Sequence, residues 1–189
     1  MPAISVPSSA IFPLPSPNKN SMSRELTYGM IAGFSTLGWM TLGYVLHWEQ
    51  SEMGRYAPFL SLFILMLAIY LTILVKRDTD QAGIITFKEA FTAGMVVSFI
   101  VGIMVGSYLM VYVKYVNPGY VEQVISSATE YYKAEKASQE QIDKGIEGIR
   151  AMYAPFGQFT YGIGTTMMTG LLISLVVSAI MQRKVKRIV

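Results

Sequence analysis

Cysteine is absent from the 189 residues, so disulfides, thiol nucleophiles and Cys-ligated metal or iron–sulfur centres are excluded. Histidine occurs once, as His47, and a lone imidazole without convergent partners makes neither a metal site nor an acid–base pair. Charge is scarce as well. Asp, Glu, Lys and Arg make up 14% of the sequence against 52% hydrophobic residues, a balance too apolar for a soluble domain of this size. No charged residue falls between Leu26 and Trp48, Tyr56 and Val75, Ala90 and Val113, or Ala151 and Gln182.

Each of those stretches accommodates the roughly 20 residues of helix that cross a hydrocarbon core. The expected fold class is all-α: an integral membrane four-helix transmembrane bundle, with an extracytoplasmic helical hairpin between helices 3 and 4. Residues 1–22 are rich in proline and lack the basic start, apolar centre and small-residue site of a signal peptide, so they read as a disordered tail. Residues 23–189 form the four-span membrane domain.

Of the 15 Lys and Arg residues, nine fall before the first span, between the second and third, or after the fourth. Arg55 and the five from Lys114 to Arg150 lie on the other side, mostly in a long loop that counts little toward orientation. Both termini are expected in the cytoplasm. Tyr44, Trp48, Tyr56, Tyr112, Tyr115, Tyr153 and Tyr161 then fall at or near the outer interface, where amphipathic rings settle. The basic end RKVKR reads as an orientation signal.

Small residues recur every fourth position in the third span (Gly94, Ser98, Gly102, Gly106) and in the fourth (Gly162, Thr166, Gly170, Ser174, Ser178), and the first span carries Gly29 and Gly33. Such stripes let helix backbones approach closely, which suits packing within the chain and also a homodimer face or substrate path. Helices one, three and four are expected to form a tight core. The second span has no glycine and is expected at the rim, facing lipid. No ionisable side chain is expected inside a span, which argues against a proton relay or ion path. His47, beside Trp48 at the end of the first span, reads as a polar anchor.

Residues 117–153 form the outer segment. Asn117 and Pro118 suit the start of a first helix, and Ser138 with Gln141 suits a capping box that opens a second. Mixed charges at helical spacing give a solvated face, or a docking surface for an envelope partner with Tyr120, Tyr131 and Tyr132 as anchors.

The stretch DTDQAGIITFKE, Asp78 to Glu89, follows the template of a calcium loop, with acids at positions one, three and twelve and glycine at six. Position five is Ala82, which offers no oxygen. The same letters read without metal as a helix exit, a turn at Gly83, and a capping box of Thr86 and Glu89 opening the third span. That reading is preferred.

The entry GIITFKEAFTAG to the third span, the aromatic end YVKYVNPGY, a charged helical segment and a glycine-rich last span, taken in order, resemble bacterial membrane proteins of the domain of unknown function 4199. The resemblance runs from about Arg24 to Lys184; it implies the four-span architecture and no catalytic residue. The functional expectation is a non-enzymatic accessory or scaffold protein of the bacterial inner membrane, or else a small transporter or channel subunit working as an oligomer. Expected partners are the lipid bilayer, an envelope protein and a second copy of the chain; no nucleic acid, cofactor, metal or catalytic residue is expected. Because the chain has no native thiol, single cysteines at Ser138 and Thr79 are expected to react with impermeant maleimide from opposite sides of sealed vesicles; labelling from one side would overturn this topology.

Overall fold

The computed structural model describes residues 21–48 and 52–183, all helical apart from short connections. The proline-rich tail up to residue 20 and the basic end after Arg183 lie outside the described residues. Six helices follow in order: α1 (Ser21–Val45), α2 (Ala57–Val75), α3 (Phe87–Val111), α4 (Tyr120–Ala134), α5 (Gln139–Tyr153) and α6 (Pro155–Met181). Three of the helical segments, Ala57–Asp80, Phe87–Val116 and Pro155–Met181, are long and apolar enough to cross a membrane. The 25-residue α1 is long enough but is not among them. Its apolar residues alternate with Gly29, Gly33, Ser35, Thr36, Gly38, Thr41 and Gly43.

Those small residues have a use in packing. The largest helix interface joins α3 to α6, and the two stripes meet there, running in opposite directions. A methyl group on Gly162 would come within 2.6 Å of the Gly106 Cα, and one on Gly106 within 2.5 Å of the Phe159 carbonyl oxygen. Gly170 faces Ser98, and Gly94 faces Ser174. Helix α1 lies along α3 in the same direction, with Gly29 against Ile100 and Gly33 against Met104.

Helix α2 departs from the expectation. It packs on α1, α3 and α6, burying Leu65, Ala68, Ile69, Thr72 and Ile73, while Phe59, Phe63 and Leu67 on its other side stay exposed. Conversely α1 and α6 make no substantial contact. The absence of glycine did not send α2 to the rim: Ile69 reaches the α3–α6 seam at Gly94, and β-branched side chains on one helix face fill the groove that small residues leave open.

The segment between α2 and α3 closes as its letters suggest. Thr86 accepts from the Glu89 backbone N–H, and the Thr86 N–H donates to Glu89 Oε2 at 3.0 Å, a full capping box. Ala82 and Gly83 both take positive φ, 50° and 84°, to make the turn before it. Arg183 N–H donates to the Ile85 carbonyl, tying the end of α6 to this turn. Ser138 and Gln141 form the second capping box, opening α5.

Asn117 behaves differently from expectation. Gly119, with no side-chain bond, caps α4, and Asn117 Nδ2 donates to the Tyr112 hydroxyl at 3.2 Å. A π-helical turn over Tyr112–Val116 extends α3 past Val111, and the Asn117 N–H donates to the Tyr112 carbonyl to close it, so the start of α4 shifts two residues on. Helices α4 and α5 then pack on each other. Ile125 and Ile142 are buried, Tyr132 lies over Gly145, and Arg150 reaches Glu122 at 3.2 Å.

The seam gives a sharp comparison between two glycines of one helix. Nothing lies within 4 Å of a methyl group placed on Gly164, whereas Gly162 meets backbone. Gly162→Val is expected to lower stability by at least the ~1–3 kcal/mol typical of overpacking. Gly164→Val is expected to leave the melting temperature in detergent within a degree or two; equal losses in the two variants would refute the seam.

Candidate functional site

The end of the molecule that carries Trp39, Tyr44 and Tyr112 is knitted by ring contacts and side-chain hydrogen bonds to backbone. Trp39 Nε1 donates to the Ala57 carbonyl at 2.9 Å, and the Trp48 ring lies 4.6 Å from that of Trp39. Tyr44 donates its hydroxyl proton to the Val116 carbonyl, and Thr41 donates to the Leu37 carbonyl while its Oγ1 accepts from the Tyr108 hydroxyl. Tyr44 and Tyr108 both touch Tyr112, which touches Tyr120, which touches Tyr153, with centroids 5.5 to 5.9 Å apart. Each such pair adds about 0.5–1.5 kcal/mol beyond the area it buries. Five tyrosines from four helices thus form one wall.

That wall bounds a chamber of about 1400 Å³, larger than the roughly 300–1,000 Å³ usual for small-molecule sites. Leu62, Leu65, Val101, Val105 and Leu109 give it an apolar side from α2 and α3. Tyr161, Thr165, Thr166 and Thr169 give a hydroxyl-bearing side from α6, with Thr36 contributed by α1. Val124, Ala128, Tyr131 and Tyr132 of α4 roof it. Gln158 is buried beneath α5, and its Nε2 donates to the Met152 carbonyl at 3.0 Å. The chamber ends where Ile69 and Ser174 both close on Gly94, bringing α2, α3 and α6 together. Above that level α2 and α6 stand apart, each lining the space between them.

The opposite end is held by charge. Arg24 pairs with Asp80 at 3.0 Å and Lys76 with Glu25 at 2.5 Å, bridging the start of α1 to the end of α2. Glu25 is 4% exposed, and the Asp80 side chain 5%. A π-helical turn over Lys76–Asp80 prolongs α2 and swings Asp80 back toward Arg24. One oxygen of each carboxylate, Glu25 Oε2 and Asp80 Oδ2, is buried without a hydrogen-bond partner. Arg77 pairs with its neighbour Asp78 and reaches the Met181 sulfur.

Residues 27–183 match the family described as protein of unknown function (DUF4199). The chain belongs to that family. No curated protein and no solved structure matches it.

Within this DUF4199 chain the acids of the calcium-like stretch go to three separate partners: Asp78 to Arg77, Asp80 to Arg24 and Glu89 to Thr86. Among the described residues no three His, Asp or Glu side chains gather around a point that suits a metal ion. Asp80, in the connection between α2 and α3, is buried in its ion pair with Arg24, and Glu25, buried in α1, precedes the charge-free stretch that begins at Leu26. His47 ends α1 in a left-handed conformation, φ 54°, and is exposed. Tyr120, Tyr131 and Tyr132, the anchors of the docking-surface alternative, all line the chamber, and Tyr131 is also 64% exposed.

Sequence reasoning missed the chamber because its residues come from every helix and share no spacing. The nearest signal was the excess of tyrosine at the predicted ends of the spans. The ion pairs left a fainter one, an Arg-Glu pair at the start of α1 facing a Lys-Arg-Asp run at the end of α2.

Removing one member of a buried pair strands the other charge. Glu25→Gln is expected to cost about 3–5 kcal/mol, and the double change Glu25→Gln with Lys76→Met to recover most of it. Denaturation in mild detergent measures both, and a double variant no better than the single one would show that the pair does not hold this end.

Proposed function

We propose that the chain is a non-enzymatic accessory protein of the bacterial inner membrane whose working part is the aromatic chamber. In this reading α1, α2, α3 and α6 are four spans, both termini are cytoplasmic, and α4 and α5 form an extracytoplasmic hairpin that roofs the chamber. The ion-paired end then lies at the cytoplasmic surface, in keeping with the bias of Lys and Arg. The rings of Tyr44, Tyr112 and Trp48 lie at the outer headgroup level, where amphipathic rings are favoured.

The observation that carries the proposal is the lining itself. Rings, methyl groups and neutral hydroxyls surround a large space, with Arg55 as the charged residue among those lining it. Walls of that kind hold a guest by contact and hydrogen bonding, and they suit reception better than bond-breaking. An accessory protein of this sort would present or sequester a molecule for a partner docked on the outer faces of α4 and α5.

A second reading, a transporter or channel subunit, is favoured by one observation: the chamber is shut toward the ion-paired end at Ile69, where α2, α3 and α6 close together, and open above it on the side between α2 and α6. Oligomerisation along the glycine stripes has less to support it, since α3 and α6 use those stripes on each other.

Native mass measurement of the full chain released from its own membranes tests the first reading. A retained non-covalent mass is expected on the parent chain and is expected to be lost in Ala128→Phe, which fills the chamber from its roof. A chain that never carries such a mass counts against reception. An oligomer that supports solute flux in proteoliposomes moves the assignment to transport.

A further inference from the structure

The chamber's dimensions and chemistry narrow what it holds. From Val113 at the top of its α3 wall to Val101 near its floor there are twelve residues of helix, about 18 Å of rise. Half of a bilayer's hydrocarbon core is about 15 Å deep. A molecule lying along the chamber would therefore span one leaflet. Leu62 on α2 and Tyr161 and Thr165 on α6 all line the space and remain exposed, so it is open on the side between these two helices.

The walls are two-sided. Leucine and valine from α2 and α3 offer hydrocarbon contact, while the hydroxyls of Tyr161, Thr165, Thr166 and Thr169 run down the α6 side. On α1, Thr36 is 4% exposed and its Oγ1 has no hydrogen-bond partner, although it borders the same space. A buried hydroxyl left unpaired is costly; the Thr36 oxygen is covered in this structure, and a guest that brings an oxygen to the side chain as it turns about χ1 removes that cost. The α6 threonines are less demanding, because Thr165 already donates to the Tyr161 carbonyl at 2.8 Å.

Charge sets the remaining limit. Among the described residues no carboxylate lines the chamber, and Arg55, at its mouth beside Gly54 and Ala57, is already engaged. A charged head drawn down to the level of Thr36 would lose its water without gaining a counter-ion. We infer that the chamber takes an uncharged membrane amphiphile, with a long apolar chain against the α2–α3 side and a carbonyl- or hydroxyl-bearing head between Thr36 and the tyrosine wall. The inference rests on the chamber being a receiving site. Two sources share this chemistry: neutral glycerolipids such as diacylglycerol, and prenyl-type quinones, whose flat ring also suits the faces of Tyr108 and Tyr112.

The sequence supplies its own reporters. Both of its tryptophans, Trp39 and Trp48, line the chamber, so indole emission reads occupancy. The full chain is placed in phosphatidylcholine nanodiscs and titrated separately with chain-brominated diacylglycerol, a decyl-substituted benzoquinone and chain-brominated phosphatidylglycerol. Saturable quenching is expected from at least one neutral probe, at a mole fraction about tenfold below any half-point for the anionic lipid, and the stronger neutral probe identifies the source. Thr36→Val is expected to raise that half-point about fivefold, the loss of one hydrogen bond, with Thr36→Ser close to the parent. Ala128→Phe, which changes the roof and leaves the helix seam alone, is expected to abolish saturation.

Saturation by phosphatidylglycerol at an equal or lower mole fraction overturns the uncharged class and leaves the receiving chamber standing. A Thr36→Val chain that binds like its parent overturns the placement of the head. Quenching that rises linearly with mole fraction for all three probes overturns the receiving chamber together with its guest.

Discussion

The approach of α3 to α6 at Gly106 and Gly162 is the constraint on which the rest of the molecule depends. Two helices whose backbones meet cannot admit a third between them, so α1 and α2 must pack on the outside of the pair. Helix α1 takes one flank of α3, using Gly29 and Gly33, and thereby loses α6 as a neighbour. Only α2 is left to touch both members of the seam, and it does so over a limited length around Ile69 and Ile73. Lipid removes the hydrophobic drive between helices, so such close van der Waals packing is what fixes their positions.

The chamber follows from this arrangement. Because α1 does not reach α6 and α2 meets α6 only below Leu65, the other half of the groove on α3 has no helix to fill it. The chain closes that gap partly with side chains of high volume, the tyrosine wall and the two tryptophans, and partly with α4 laid across the top. Rings suit the place because they bridge apolar and wet surroundings, with hydroxyls that find the Val116 carbonyl or Thr41. Space remains nonetheless, and most of the residues facing it lie beside the α3–α6 contact, with Thr166 serving both.

Different parts of this architecture were legible in the sequence to different degrees, and range along the chain decides which. The seam was visible because its period of four is local to each helix, and small residues at that spacing have few other uses in an apolar segment. The two capping boxes were visible because Thr86 with Glu89, and Ser138 with Gln141, complete themselves within four residues. Asn117 shows where local reasoning fails. Its sequence context fits an N-cap, yet Tyr112 captures its amide and the π-helical turn takes the backbone past it. Glu25 and Lys76 lie 51 positions apart, and no periodicity connects them. The chamber is the extreme case, assembled from positions on every helix that no local pattern connects.

Helix α2 joins the two ends of the molecule, and its sequence shows why it can. Above Ile69 it lines the chamber with Leu62 and Leu65; below Ile73 it runs into the Lys76–Asp80 turn that carries the pairs with Glu25 and Arg24. Its buried residues between these points are β-branched or small, and Thr72 satisfies its own hydroxyl on the Ala68 carbonyl at 2.7 Å, so this section packs without asking anything polar of its neighbours. The helix is therefore fixed at its middle by shape and at one end by charge, while at the other its Ala57 carbonyl accepts from Trp39 Nε1. Shape fixes position to within a fraction of an ångström, because interiors are close-packed. Buried charge fixes the choice of partner, because a stranded ion is so costly. The chamber end of α2, where Phe59, Leu60, Leu62 and Phe63 stay exposed, is the less enclosed, which is where a wall that must accept a guest is best placed.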